Sequence, residues 1–254
     1  MGDEIRKELF MKQRTAMITG ASRGIGAAIA ERFASEGWNL VLTCIHSRER
    51  LEELAGKLHD SYGVTCLTFV GDMGKEQNVL DCFCQIENCL GGVDVLVNNA
   101  GISHVGLFSE LSLKDWERVM ETNSTSVFLC IRQALPYMLK QKSGSIINIS
   151  SVWGCVGASC ETAYSASKGA VNALTMALAK ELAPSGIAVN AIACGAIDTD
   201  MNACFTEEEK ALIAAEIPAG RFGTPKEAAA LVFSVACQST YLTGQIIRLD
   251  GGWI

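Results

Sequence analysis

Residues 19–26 read Thr-Gly-Ala-Ser-Arg-Gly-Ile-Gly (TGASRGIG). The stretch fits two motifs at once. Gly20-Ala21-Ser22-Arg23-Gly24 matches G-x-S-x-G, the nucleophile elbow of a serine hydrolase. Gly20, Gly24 and Gly26 also match a turn that cradles the phosphates of a dinucleotide. Both motifs sit between a strand and a helix, so the surrounding sequence has to decide.

Working outward, apolar runs alternate with amphipathic stretches. Strands are expected over 15–19, 39–44, 64–70, 93–98, 145–150, 187–192 and 246–249, the fourth of the fully buried kind. Helices are expected over 24–36, 47–61, 75–90, 113–141, 162–182, 207–216 and 226–237. Gly37 stops the first helix, Ser47 reads as the N-cap of the second, and Pro136 as a kink in the long one. This rhythm predicts an α/β fold: a single Rossmann-like, doubly wound domain of about seven parallel strands with helices on both faces. It would span 11–254, with 1–10 an extension or tag remnant. Ligands of such sheets bind at the carboxyl ends of the strands.

The chain has 254 residues, 49% hydrophobic and 19% charged, with a net charge of −7. That composition describes a globular chain and argues against a broad nucleic-acid surface. No run reaches the roughly 18 apolar residues of a membrane span, and the N-terminus lacks a secretory apolar core. The expected compartment is the cytoplasm. Eleven scattered cysteines and three histidines form no metal-ligand pattern, so no metal is expected.

Chain order separates the two readings of the opening motif. A hydrolase elbow needs an upstream oxyanion loop and a downstream acid and histidine. Here Ser22 follows the first strand, and the last histidine is His104. The dinucleotide reading has no such conflict. Gly20 takes the tight turn, Gly24 lets backbone approach a pyrophosphate, and Gly26 permits close helix–strand packing. The helix N-terminus then offers free N–H groups to phosphate.

Other residues agree. Asn98-Asn99-Ala100-Gly101 follows the fourth strand at the edge where a cofactor would lie. Tyr164 and Lys168, at i and i+4, share one helix face, where an ammonium favours a phenolate. Ser151 ends the strand thirteen residues before Tyr164. With Asn123, these motifs in this order resemble the short-chain dehydrogenase/reductase family over residues 14–254, including Tyr241-Leu-Thr-Gly-Gln and Asp250-Gly-Gly. Within the family the chain looks most like the 3-oxoacyl-[acyl-carrier-protein] reductase branch.

The resemblance implies hydride transfer between a nicotinamide and a carbonyl carbon. Tyr164 would exchange the proton. Lys168 would lower the Tyr164 pKa and hold the nicotinamide ribose. Ser151 would hold the substrate oxygen, and Asn123 would anchor a relay water. Cofactor contacts are expected from the turn residues Gly20, Ser22, Arg23, Gly24, Ile25 and Gly26. Asp72, with Met73, would meet adenine; Asn98, Ala100 and Gly101 would line the adenosine side. Gly195, Ile197 and Thr199 would meet the nicotinamide end. The second strand ends at Cys44 with no carboxylate for a ribose 2′-OH, whereas Arg23, His46 and Arg48 suit a 2′-phosphate, which points to NADP(H). Cys194-Gly195 replaces the family's frequent Pro-Gly, removing a rigid φ beside the nicotinamide. Ser185 replaces a frequent basic residue, which weakens docking of an acidic acyl carrier protein, although Lys140 and Lys142 remain. Residues 200–220 are expected to form a substrate lid, and a homotetramer is implied through the helices at 113–141 and 162–182. The expected substrate is a 3-oxoacyl thioester; the alternatives are a free small alcohol, sugar or steroid, and a non-catalytic dinucleotide sensor.

Overall fold

The computed structural model describes residues 13–202 and 205–254; the extension expected over 1–10 lies outside the described residues. The elements are β1 (Thr15–Ile18), α1 (Gly24–Ser35), β2 (Asn39–Cys44), α2 (Arg48–Tyr62), β3 (Cys66–Val70), α3 (Glu76–Leu90), β4 (Val95–Asn98), α4 (Leu113–Met120), α5 (Ser126–Gln141), β5 (Gly144–Ser151), α6 (Trp153–Val156), α7 (Thr162–Leu182), β6 (Ile187–Cys194), α8 (Glu207–Glu216), α9 (Pro225–Ala236) and β7 (Ile246–Leu249). The strands form one parallel sheet in the order β3-β2-β1-β4-β5-β6-β7. This is the Rossmann-like α/β fold.

Alternation along each strand builds two cores, one per face. Ile18, Leu42, Val97, Ile149 and Ile192 pack with Ile29 and Phe33 of α1, Leu58 of α2 and Val232 of α9. Their neighbours Met17, Val41, Leu96, Ile146 and Val189 pack on the other face with Ile86 of α3, Met138 of α5 and Val171 of α7. Both faces are covered, so strand residues are apolar in succession rather than alternately polar. Burying each large side chain contributes about 1.5–3 kcal/mol.

Two expectations need correction. The helix expected over 113–141 is divided by a π-helical turn over Glu121–Thr125, and Pro136 lies inside α5. Apolar periodicity runs through that turn, so the sequence pattern hides it. Ser47 does precede α2, but its side chain makes no capping bond.

The chain runs outward from β1 to β3 and then returns to place β4 on the other side of β1. The connections leaving β1 and β4 therefore diverge, opening a crevice at the carboxyl ends of the strands.

Candidate active site

The glycine turn forms one wall of that crevice. Gly20 and Gly24 take φ values of +65° and +57°, a region costly for residues with a Cβ. Space is as restrictive as conformation. A Cβ on Gly20 would lie 2.9 Å from Ala100 Cα, and one on Gly26 would lie 2.4 Å from the Gly20 carbonyl oxygen. The turn is stitched to the loop after β4. Thr19 Oγ1 accepts from Asn99 N and Ala100 N, both at 3.0 Å. Asn99 Nδ2 donates to the Thr19 and Gly20 carbonyls at 2.9 and 3.0 Å. Sequence reasoning missed Thr19 and Asn99, although both stand inside motifs it quoted. Arg23 caps α1 with extended backbone and no side-chain capping bond, which leaves the first amides of the helix for an anion.

The crevice continues into a cavity of about 1030 Å³. It brings together most of the expected residues: Gly20, Ser22, Arg23, Gly24 and Ile25; His46; Asp72 and Met73; Ala100 and Gly101; Ser151, Tyr164 and Lys168; and Gly195, Ile197 and Thr199. Four others lie outside its lining. Gly26 sits behind the turn. Arg48 pairs with Glu52 at 3.2 Å along the surface of α2. Asn98 is the last residue of β4, buried in register with Asn148, to whose Oδ1 it donates at 2.9 Å. Asn99 occupies the place next to the turn instead. Asp72 lines the cavity, and its Oδ1 also accepts from Gly74 N at 2.8 Å.

Asn123 is the fourth residue outside the lining. The π turn aims it inward with no exposure. Its Oδ1 accepts from Ile102 N at 2.8 Å, and its Nδ2 donates to Ile102 O at 2.9 Å and Ser167 Oγ at 3.0 Å. The amide thus clamps the segment after Gly101 to α7 and does not face the cavity.

At the other end of the cavity, β5 delivers Ser151 and α7 delivers Tyr164 and Lys168. The Ser151 hydroxyl hydrogen-bonds the Tyr164 phenol and accepts from Trp153 N at 3.2 Å. Tyr164 is half-buried. Burial pushes its phenol above the usual range; the Ser151 bond draws it down, while Cys194 and Glu161 add to the rise. Lys168 is not among the groups that lower it here. Its Nζ donates to the Ile149 carbonyl at 2.7 Å and stands 5.7 Å from the Tyr164 ring centroid. Burial lowers the Lys168 ammonium to about 8. The Cys194 thiol is pushed up to about 12 by burial, so at neutral pH it is protonated and inert. The loop after β6 is held despite the missing proline: Gly195 N donates to Leu249 O at 2.9 Å, and Cys194 O accepts from Val152 N at 3.0 Å.

A nicotinamide dinucleotide fits this donor set. The glycine turn leaves room that any Cβ would fill, the open end of α1 faces the pyrophosphate position, and a hydroxyl, a phenol and an ammonium converge where a carbonyl and a ribose would meet.

The model of the short chain dehydrogenase family matches residues 14–210. The chain belongs to this family. Relatives agree over nearly its full length. The chain is 41% identical over 246 residues to "3-oxoacyl-[acyl-carrier-protein] reductase FabG" of Aquifex aeolicus, covering 96% of this chain and 99% of that one. It is 42% identical over 241 residues to "Uncharacterized oxidoreductase YmfI" of Bacillus subtilis, covering 94% and 98%. It is 39% identical over 240 residues to the FabG reductase of Staphylococcus aureus, covering 94% and 97%. As a short-chain dehydrogenase it is an oxidoreductase acting on CH–OH/C=O groups with a nicotinamide dinucleotide. Among the described residues no helix is long and apolar enough to cross a membrane, and no group of His, Cys, Asp or Glu is placed to hold a metal ion.

Proposed function

We propose that the chain is an NADPH-dependent carbonyl reductase whose substrate is a 3-oxoacyl thioester. The observation that carries the reading is the convergence of Ser151, Tyr164 and Lys168 in the same cavity as the glycine turn. Bound NADPH supplies the hydride. Ser151 holds the carbonyl oxygen and stabilises its developing negative charge. Tyr164 delivers the proton to that oxygen; its raised pKa keeps it protonated and ready to donate. Lys168 orients the ribose hydroxyls and renews the Tyr164 proton. Asn123 acts on both by clamping Ile102 and Ser167 beside them.

Support for NADP(H) over NAD(H) comes from the adenosine end. Residues Cys44 to Ser47 line the cavity with no carboxylate to bind a 2′-OH and repel a phosphate, while Arg23 and His46 line it nearby. The names of the FabG relatives support an acyl-carrier-linked substrate. A second reading, reduction of a free ketone, is favoured by local charge. Glu161 and Glu216 line the substrate side, and Ser185 adds no positive charge for an acidic carrier. We place the substrate lid at 200–220, where Met201, Phe205 and Ile213 line the cavity. A cytoplasmic homotetramer completes the reading; Phe128 and Leu139 of α5 and Met176 of α7 leave apolar surface exposed on the two helices that would pair.

The test is a panel of NADPH and NADH oxidation rates with acetoacetyl thioesters, diketones, sugars and keto-steroids. The reading predicts at least tenfold preference for NADPH and the highest kcat/KM on a thioester. A free ketone as best substrate would select the second reading. Cofactor binding without turnover on any carbonyl would select the non-catalytic sensor.

A further inference from the structure

Two indoles meet in the lining of the cavity. Trp153 and Trp253 both border it, with ring centroids 5.0 Å apart and ring planes inclined at 61°. Trp153 opens α6, two residues after Ser151, and its backbone N–H donates to the Ser151 hydroxyl at 3.2 Å. Trp253 comes from the tail after β7. In the sheet, β5 and β7 lie on the far side of β4 from the strands that carry the glycine turn and the adenosine side. The pair therefore walls the cavity next to Ser151, at the end away from the adenosine. Trp253 is fixed in place rather than draped there. Its backbone N–H donates to Asp250 O at 3.3 Å, Ile254 N to Asp250 Oδ2 at 3.3 Å, and Arg248 Nη1 to Ile254 O at 2.6 Å. Ala219 N donates to Gly251 O at 3.1 Å, which fastens the tail to the end of the lid segment.

Inclined rings make a corner, not a slot. A third ring can lie along one indole and meet the other edge-on, the two arrangements that aromatic quadrupoles favour; a straight alkyl chain gains neither. Phe205, Ile213 and Phe222 line the same cavity with further apolar surface, and Glu161 and Glu216 on that side oppose an anionic group. We infer that the Trp153–Trp253 corner receives the group borne by the reacting carbonyl and selects an aromatic ring there, so that the preferred substrate is an aryl 3-oxoacyl thioester. This deepens the thioester reading above and rests on it for the thioester half of the molecule. Trp153 and Trp253 are specificity-determining residues, and Trp153 also ties the corner to the hydroxyl that holds the carbonyl oxygen.

The test is kcat/KM with NADPH for three thioesters of N-acetylcysteamine: benzoylacetyl, its cyclohexyl counterpart, and straight-chain butyrylacetyl. The wild-type protein should favour the benzoylacetyl ester over the straight chain by about tenfold and over the cyclohexyl ester by about threefold, the second comparison separating a flat ring from mere bulk. In Trp153→Leu and in Trp253→Leu the aryl-to-alkyl ratio should fall about fivefold, and Trp253→Phe should restore most of it. A wild-type preference for the straight chain, equal rates on the phenyl and cyclohexyl esters, or a ratio unmoved in both leucine variants overturns the aromatic corner. The wild-type comparison decides alone if a leucine variant fails to fold. Benzoylacetone reduced while every thioester is left untouched refutes the thioester reading. The corner then stands if the preference for benzoylacetone over a straight-chain diketone falls in the leucine variants, and falls with that reading if it does not.

Discussion

Lys168 shows how far the fold governs a single ionisation. Its amine is 4% exposed and burial brings it to about 8, within reach of working pH. In the proposed reduction Lys168 renews the Tyr164 proton, so the charged form would be the active one. Because its value is lowered, the charge is complete below about pH 7 and lost as pH rises through about 8. The expected kcat/KM for reduction is level at pH 6–7 and falls about tenfold per unit above 8. Lys168→Arg, charged throughout, should lower the plateau and erase the inflection. A wild-type profile flat from pH 6 to 10 would contradict this role. Tyr164 and Lys168 were legible because helical spacing alone puts i and i+4 on one face. Which of two adjacent asparagines reaches the cavity depends only on where β4 ends: Asn98 is still in strand register with Asn148, and Asn99 lines the cavity. Nothing in the sequence around Asn123 names Ile102 and Ser167 as its partners.

Among the elements, the glycine turn and the π turn make opposite cases. The turn was legible because only glycine meets its demands. Gly26→Ala would put a methyl carbon 2.4 Å from the Gly20 carbonyl and 2.6 Å from Asn99 Nδ2. Relief requires moving the turn away from the loop after β4. Overpacking of this kind costs about 1–3 kcal/mol, so cofactor affinity should fall roughly 10- to 100-fold while helical circular dichroism is kept. Wild-type affinity in Gly26→Ala would show that the close approach is not required. The π turn over Glu121–Thr125 was not legible, since one extra residue in a turn leaves no mark on a pattern that averages over several turns. Strand positions were read to within two residues at most ends, because buried parallel strands are continuous apolar runs.

For the molecule as a whole, burial couples stability to the cysteines. Cys82 and Cys130 have no exposure and Cys194 has 6%. Burial raises all three thiols, Cys82 and Cys194 to about 12. Raised acids hold their protons in the folded state while the unfolded chain releases them above about pH 9. Stability is therefore undiminished below pH 9 and declines above it, by up to about 1.4 kcal/mol per pH unit for each thiol. Urea unfolding between pH 7 and 10.5 should follow that slope. Cys130→Ala should start less stable at pH 7 and decline less steeply; an identical slope would remove the thiols from the account. Only the complete sheet brings the glycine turn and Tyr164 to one cavity. Turnover and NADPH affinity measured together in Tyr164→Phe test what that convergence does. The account predicts a kcat lower by about 10²–10⁴-fold with affinity within twofold of wild type. Turnover that survives the loss of the phenol hydroxyl would contradict it.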